Sequence, residues 1–275
     1  MKKYYLFIAL AMVAAITVSC KNNKKAKEAS EATEEVVEAA KTILADDVLA
    51  RIDEIGKTYF DELGKTSFAD IISSYLTEEQ KLVKPDYLLN PSEVNNLLTK
   101  TQKVNALAML IADRTVMKAY EMPTEEAEEA IARLMAEVGA PINVEDHANM
   151  TISEKVAAEY EKCKESGDLP LFWQFHFAMM NEFGYIMSQN PDIIFNNISE
   201  EQYQSFHKQM DASREVVIVL AEYDPEVKLA WDSFLQVITD PSNNSEEAFK
   251  SAEAAKNALI SKKESMAARR AEMLK

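Results

Sequence analysis

Residues 171–187 read LFWQFHFAMMNEFGYIM, the most apolar stretch of the chain beyond its amino terminus. At helical spacing, Trp173, Gly184 and Met187 lie on one face, and further aromatic and aliphatic residues occupy most of the other faces. A helix that is apolar nearly all round lies buried at the centre of a helical protein. We therefore predict a central helix over 170–189, in which Gly184 lets a neighbouring helix approach closely.

Two side chains of this predicted helix could instead contact a ligand. His176 and a nearby methionine are soft ligands of the kind that hold haem iron, which would make the segment a ligand or haem pocket. Methionine also fills irregular gaps in ordinary cores, and this second interpretation is favoured. We keep His176 and Trp173 as candidate ligand-binding residues.

The rest of the chain is also patterned for helices. It has only five glycines, far below the ordinary content of about 7%. Capping boxes, in which two side chains satisfy free backbone N–H groups, begin at Thr77, Thr151 and Ser199. The stretch VVIVL at 216–220 could be a strand, but its flanks continue a helical pattern. We predict an all-α fold, a multi-helix bundle or array of about nine helices. The predicted helices cover 34–63, 66–82, 92–121, 124–138, 151–165, 170–189, 199–222, 225–239 and 245–273.

Two segments resemble each other at an offset of 100 residues. When 90–143 is set against 190–243 without a gap, 11 of the 54 positions are identical, starting with Asn-Pro in both. The match indicates either two duplicated helical units, neither of which could bury its apolar face alone, or the independent occurrence of the same residues that start and end helices. Arg114 and Arg214 occupy matching places, where they could form structural salt bridges or an anion-binding pair. Both are candidate ligand-binding residues.

The amino terminus has the layout of an export signal. Lys2 and Lys3 precede the apolar run LFIALAMVAAITV at 6–18, and the small residue Ser19 follows it. This run is shorter than the roughly 20 residues that a membrane-spanning helix needs. We therefore predict a cleaved signal peptide over 1–19 rather than a retained anchor.

The next four residues, TVSC at 17–20, resemble the lipobox of bacterial lipoproteins. Ser19 fits that pattern, whereas Thr17 stands where the family usually has Leu, as in the looser lipoboxes of the Bacteroidota. The resemblance implies cleavage before Cys20 and lipid on its sulfur, and several acyl chains anchor a protein stably. An ordinary signal peptide followed by an incidental cysteine is the alternative.

After Cys20, residues 20–32 are polar and read as a flexible tether, and 33–275 as a helical domain. Lipoproteins of this type that are sent to the cell surface tend to carry acids just after the cysteine, whereas this chain carries lysines. We therefore expect a lipid-anchored protein of the cell envelope, in the outer membrane and facing the periplasm.

Charge is distributed unevenly along the chain. Twelve of the 30 basic residues and two of the 46 acidic residues lie within 1–27 and 256–275, which leaves 28–255 with a net charge of −26. Such a surface repels nucleic acid, so we exclude nucleic-acid binding. It is suited to a cationic protein partner, or simply to solubility.

No catalytic or metal-binding motif is recognisable in the sequence. None of the three histidines has a second histidine within five residues, and the glycine-rich phosphate loop and the Gly-x-Ser-x-Gly motif are both missing. If Cys20 carries lipid, Cys163 has no disulfide partner within the chain. It would then be a free thiol or form a disulfide with another molecule. We expect a protein that is not an enzyme and that needs no cofactor or metal.

Two functions remain after these exclusions. The first is a non-enzymatic protein-binding or scaffolding module on a membrane anchor. The second is a small-ligand-binding lipoprotein of the periplasm, with an apolar pocket beside helix 170–189.

In the last predicted helix we expect the first half to pack on the domain and the basic tail to be solvated. The sequence does not indicate an oligomeric state.

Overall fold

The structure, a computed structural model, describes residues 46–63, 65, 71–72, 75–139, 152–232, 235 and 251–275. The chain divides into two units, 1–50 and 51–275. Within the first unit the described residues, 46–50, are helical. The predicted signal peptide, Cys20 and the tether lie outside the described residues and stay predictions. All that follows concerns the second unit.

The second unit confirms the predicted all-α class, because its described residues form helices and no strand. Residues 51–63 are helical and are called α1. A short 3₁₀ helix covers Glu93–Asn96. The other helices are α2 (Glu78–Leu82), α3 (Lys100–Ala119), α4 (Glu125–Val138), α5 (Ile152–Ser166), α6 (Leu169–Gln189), α7 (Pro191–Phe195), α8 (Glu200–Tyr223), α9 (Pro225–Ala230), α10 (Ala252–Ser261) and α11 (Lys263–Glu272).

Helix α6 is the centre of this arrangement, as its sequence predicts. It packs against α3, α5, α7, α8, α10 and α11. Nearly all of its side chains are buried, and Phe172 and Trp173 are fully so. Because α6 contacts these six helices, its side chains form the centre of the core.

Several helix ends lie where local chemistry predicts them. Ser199 caps α8 with a complete capping box that includes Gln202. Gly139 ends α4 in the left-handed conformation, with φ of +66°, which glycine adopts without strain. The stretch 216–220 lies inside α8 and is helical, which confirms the interpretation of VVIVL.

Three predicted helix boundaries are wrong. The helix predicted over 92–121 is broken, because Leu97 is extended and a capping box formed by Thr99 and Gln102 starts a new helix. The helix predicted over 66–82 is interrupted at 76–77, where the Thr77 capping box begins α2. In both cases a residue that can cap a helix starts one, although the apolar pattern runs on through it.

The last predicted helix, 245–273, is also divided. Ser251 caps α10, and Lys262 lies between α10 and α11 with φ of −101° and ψ of 4°. Residues 245–250 and most of the predicted helix over 225–239 beyond Ala230 lie outside the described residues.

The two segments of the sequence match have a similar order of elements. In each, a short helix precedes a long helix that starts with a capping box, α3 at Thr99 and α8 at Ser199. A further helix then follows, α4 in the first segment and α9 in the second. The duplication stays a prediction, because similar residues at helix starts and ends would give the same order of helices without a duplication.

Length and apolar character together decide whether a helix in the described part of the chain could cross a membrane. No helix there has both the length and the apolar character that a membrane span requires.

Candidate ligand pocket

An apolar pocket lies beside the C-terminal half of α6. Its walls come from α6, α7, α8, α10 and α11, and its volume is about 110 Å³. Large apolar side chains make up most of the lining and the pocket is partly open to solvent. Six of them are Met187, Phe195, Phe206, Met210, Leu259 and Met266.

Small residues create the space. Gly184 on α6 and Ala255 and Ala258 on α10 line the pocket, where larger side chains would fill it. A Cβ atom at Gly184 would lie only 2.9 Å from Cε of Met266. The wall opposite Gly184 is therefore the flexible end of a methionine, which can move to suit a bound molecule.

The charged side chains of the pocket are basic. Lys262 and Arg269 both line it, and no described lining residue is acidic. His207 lines it too, and its Nδ1 lies 3.1 Å from a carboxylate oxygen of Asp211. In a chain with many more acids than bases, this lining is an exception.

Arg269 has few partners. Its Nη1 donates to Oδ1 of Asn181 at 3.1 Å, and its Nε is buried without a hydrogen-bond partner. No carboxylate of the described residues pairs with it, and burial lowers the pKa of its guanidinium. Arg269 is thus a cation that is partly removed from water and has no anion beside it.

The next residue, Arg270, is fully paired. Its Nε donates to both oxygens of Glu182, at 2.8 and 2.9 Å, and its Nη2 donates to Oδ2 of Asp113 at 3.1 Å. The guanidinium also lies over the ring of Tyr185, 4.8 Å from its centroid. Both carboxylates are 1% exposed, so the three charges form a buried cluster that ties α11 to α3 and α6.

One guanidinium cannot fully balance two buried carboxylates. Burial raises the pKa of Asp113, and the nearby Glu182 raises it further. Burial also raises the pKa of Glu182, although Arg270 acts in the opposite direction. The backbone N–H of Leu89 donates to Oδ2 of Asp113 at 2.7 Å, while Oδ1 is buried without a partner. The raised pKa of Asp113 favours its protonated form, and with that proton the net charge of the three groups would be zero.

A much smaller cavity lies beside the two arginines. It measures about 10 Å³ and is lined by Asn181, Glu182, Arg269 and Arg270, among others. That is the space of about one water molecule, too little for a ligand. Two larger spaces, of about 260 and 430 Å³, are more open to solvent and more polar, so the apolar pocket is the candidate site.

Two of the sequence-predicted site residues, Trp173 and His176, lie at the other end of α6, within an aromatic cluster. Nδ1 of His176 lies 2.9 Å from the hydroxyl of Tyr59, and burial lowers the pKa of His176 to about 3. The ring of Trp173 packs edge-on against Tyr59, with 5.4 Å between centroids. Neither side chain lines the apolar pocket, and their packing is that of a core.

The other two predicted residues, Arg114 and Arg214, lie on α3 and α8 and are half-buried. Neither lines the apolar pocket, and Nε of Arg214 is buried without a hydrogen-bond partner. Cys163 is also buried, and burial raises the pKa of its thiol to about 11, so the reactive thiolate is disfavoured. Within the described ranges, no three acidic, histidine or cysteine side chains are placed to hold a metal ion.

The expectation that the basic C-terminal tail is solvated is wrong. Arg270 is held by two acids, Met273 is buried, and the side-chain amide of Asn105 donates to the Met273 carbonyl at 2.9 Å. The sequence did contain a signal for this contact, because Asp113 and Glu182 are single acids within long apolar stretches. Such acids require a buried cation, and the basic tail supplies it.

Comparison with known proteins gives no relative for this arrangement. No family model, no curated protein and no solved structure matches the chain. The site must therefore be interpreted from its own geometry.

Proposed function

We propose that this chain binds a small, largely apolar ligand in the pocket beside the C-terminal half of α6. The observation that carries the proposal is the pocket itself, about 110 Å³ between five helices, with glycine and alanine where bulkier residues would close it. Concave apolar sites with a few polar groups are the usual places for small ligands.

A protein-binding or scaffolding module has weaker support. Such a module needs a large exposed apolar patch. The large hydrophobic side chains that are exposed in the described ranges are scattered, and only two of them, Leu82 and Val83, are adjacent in sequence. The others are Tyr75, Leu98, Tyr223, Leu229 and Ile260. The acidic surface keeps a cationic protein partner as a second candidate function.

The proposal places the ligand-binding domain on a lipid anchor at Cys20, in the cell envelope and on the periplasmic side of the outer membrane. The TVSC stretch and the lysines after it support this location. An anchored binder of this kind would meet ligands that partition between a membrane and the aqueous phase. No catalytic step is required of it.

Native mass spectrometry of the protein purified from its natural host tests the proposed function. We expect an added mass of a small organic molecule that is lost on denaturation. An Ala258→Phe variant fills the pocket and should lose the added mass. Ala267→Phe is the matched control, because Ala267 lies on α11, is exposed and does not line the pocket. A bare wild-type chain, or an added mass that survives in Ala258→Phe, would contradict the proposal.

A further inference from the structure

We propose that the ligand is an amphiphile with an acidic head group. Its alkyl part would lie among the methionine and phenylalanine side chains of the pocket, and its head group beside Arg269 and Lys262. The inference rests on the proposed function, since it names the chemical class of molecule that the same pocket takes. The charges of the residues that line the pocket, and the lack of a described anionic partner for Arg269, point to this class of molecule.

The first observation is the sign of the lining charges. The chain as a whole carries a net charge of −16, yet the described lining residues include two cations, both from the basic segment 256–275, and no acid. A cationic ligand would be repelled by Arg269, and no carboxylate of the described residues pairs with that side chain. At close range in a partly dehydrated site, the charge of Arg269 outweighs the screened acids of the outer surface.

The second observation is the contrast between two adjacent arginines. Arg270 is neutralised by Glu182 and Asp113, whereas Arg269 has a single hydrogen bond to a neutral amide, that of Asn181. A partly buried guanidinium without an anion is unfavourable unless something else neutralises it. An acidic head group at the pocket wall would supply the missing charge.

The third observation is the size and composition of the apolar part. A sealed apolar cavity of roughly 150 Å³ admits benzene, and the present pocket of about 110 Å³ is smaller but partly open to solvent. An unbranched alkyl chain fits a space of that volume better than a wide ring does. The ends of Met187, Met210 and Met266 border the space and can adapt to such a chain.

Carboxylate and phosphate head groups share this chemistry. A fatty acid would present a carboxylate, and a membrane lipid fragment would present a phosphate ester. Both accept charge-assisted hydrogen bonds from arginine and lysine. The inference is therefore an acidic head group on an alkyl chain, and the experiment separates the two sources.

The test measures the binding of four probes of equal chain length by isothermal titration calorimetry. The whole chain is reconstituted in lipid nanodiscs, and empty nanodiscs are titrated as the blank. The probes are octanoate, octyl phosphate, octan-1-ol and octylamine. We expect octanoate or octyl phosphate to bind at least about tenfold more tightly than octan-1-ol, the size expected of a charge-assisted contact. Octylamine should bind most weakly.

Variants of Arg269 assign the preference to this side chain. Arg269→Met should remove most of the preference for the acidic probe and leave the affinity for octan-1-ol unchanged, whereas Arg269→Lys should retain it. Lys263→Met is the matched control, because Lys263 is exposed on the same helix and does not line the pocket. Thermal unfolding of each variant shows that loss of binding is not loss of the fold.

The outcomes separate this inference from the proposed function. If octan-1-ol binds as tightly as the acidic probes, or octylamine binds most tightly, the acidic ligand is refuted and the pocket remains a ligand site. If no probe binds to the wild-type chain, both proposals fail. If the acidic preference persists in Arg269→Met, the head group lies elsewhere and the inference is overturned. A preference for octyl phosphate over octanoate identifies a lipid phosphate as the source, and the reverse a fatty acid.

Discussion

Arg269 and Arg270 are neighbours on α11, but they belong to two regions of opposite character. Arg270 lies in a buried cluster, where it donates three hydrogen bonds to the carboxylates of two acids. Arg269 lies on the wall of an apolar pocket, where its guanidinium meets one amide and no acid. The difference separates two uses of a buried cation. One joins helices within the fold, and we propose that the other keeps its charge available for a bound molecule.

The largest expected effect comes from removing the cation of the cluster. Arg270→Met leaves the carboxylate of Glu182 buried beside Asp113 without a counter-charge, and we expect it to lower the free energy of unfolding by about 3–5 kcal/mol. Arg269→Met removes a charge that has no acid beside it and should change stability by less than about 1 kcal/mol. Urea denaturation of both variants measures the contrast.

A double variant checks the reason for that effect. Adding Glu182→Gln to Arg270→Met removes the carboxylate charge that the guanidinium no longer balances, so it should recover part of the lost stability. Equal losses for Arg269→Met and Arg270→Met would contradict the division between the two regions. So would a double variant less stable than Arg270→Met alone.

The second prediction concerns the proton on Asp113. Since the pKa of Asp113 is raised in the folded state, its contribution is fully present below the ordinary carboxyl pKa near about 4 and is lost as the pH rises through the folded value. Asp113→Asn imitates the protonated acid and escapes this loss. Its stability relative to wild type should therefore improve between pH 4 and pH 8, which urea denaturation at several pH values measures.

Glu62 provides the control of opposite sign. Burial works against its charge, but Lys65 and Lys208 hold the pKa of Glu62 below its usual value. The stability that Glu62 contributes is present above that value and lost as the pH falls. Glu62→Gln should thus become less stable relative to wild type as the pH rises. Parallel pH profiles for the two variants would refute the proton on Asp113.

Sequence reasoning predicted the centre of the fold better than it predicted the site. A segment apolar on nearly every face has only one stable place in a helical protein, so the burial of α6 followed from its residues. The pocket was also expected beside this helix, but the residues chosen for it, Trp173 and His176, lie in the aromatic cluster. Large aromatic side chains fill space, whereas a pocket forms where glycine and alanine leave it.

The arginines of the site could not be assigned from the sequence for a different reason. Arg269 and Arg270 are adjacent arginines in a basic tail, and the sequence gives no sign of a difference between them. Only the packing of α11 against α6 distinguishes their surroundings. Periodicity predicts which face of a helix is apolar, but the tail carries few apolar residues. The only available clue was the pair of lone acids, Asp113 and Glu182, in apolar helices.

The smallest effects come from two glycines, Gly56 on α1, which faces Trp173 of α6, and Gly184 on α6 itself, which faces Met266. Glycine inside a helix costs about 1 kcal/mol relative to alanine, so either Gly→Ala change brings a gain that packing must oppose to cancel. At Gly56, a Cβ would lie 3.2 Å from Cζ2 of Trp173, a ring that packs against four other aromatic rings. Gly56→Ala should therefore be neutral or destabilising by up to about 1 kcal/mol.

At Gly184, a Cβ would lie closer still, 2.9 Å from Cε of Met266, but that atom ends a flexible side chain beside open space. Met266 can turn into the pocket, so Gly184→Ala should stabilise the protein by up to about 1 kcal/mol. The displaced methionine would also occupy the site and weaken the binding of octanoate. Thermal unfolding and calorimetry measure both results. A Gly184→Ala variant that loses stability while Gly56→Ala gains it would show that the rigid packing lies at the pocket end, reversing the comparison between the two regions.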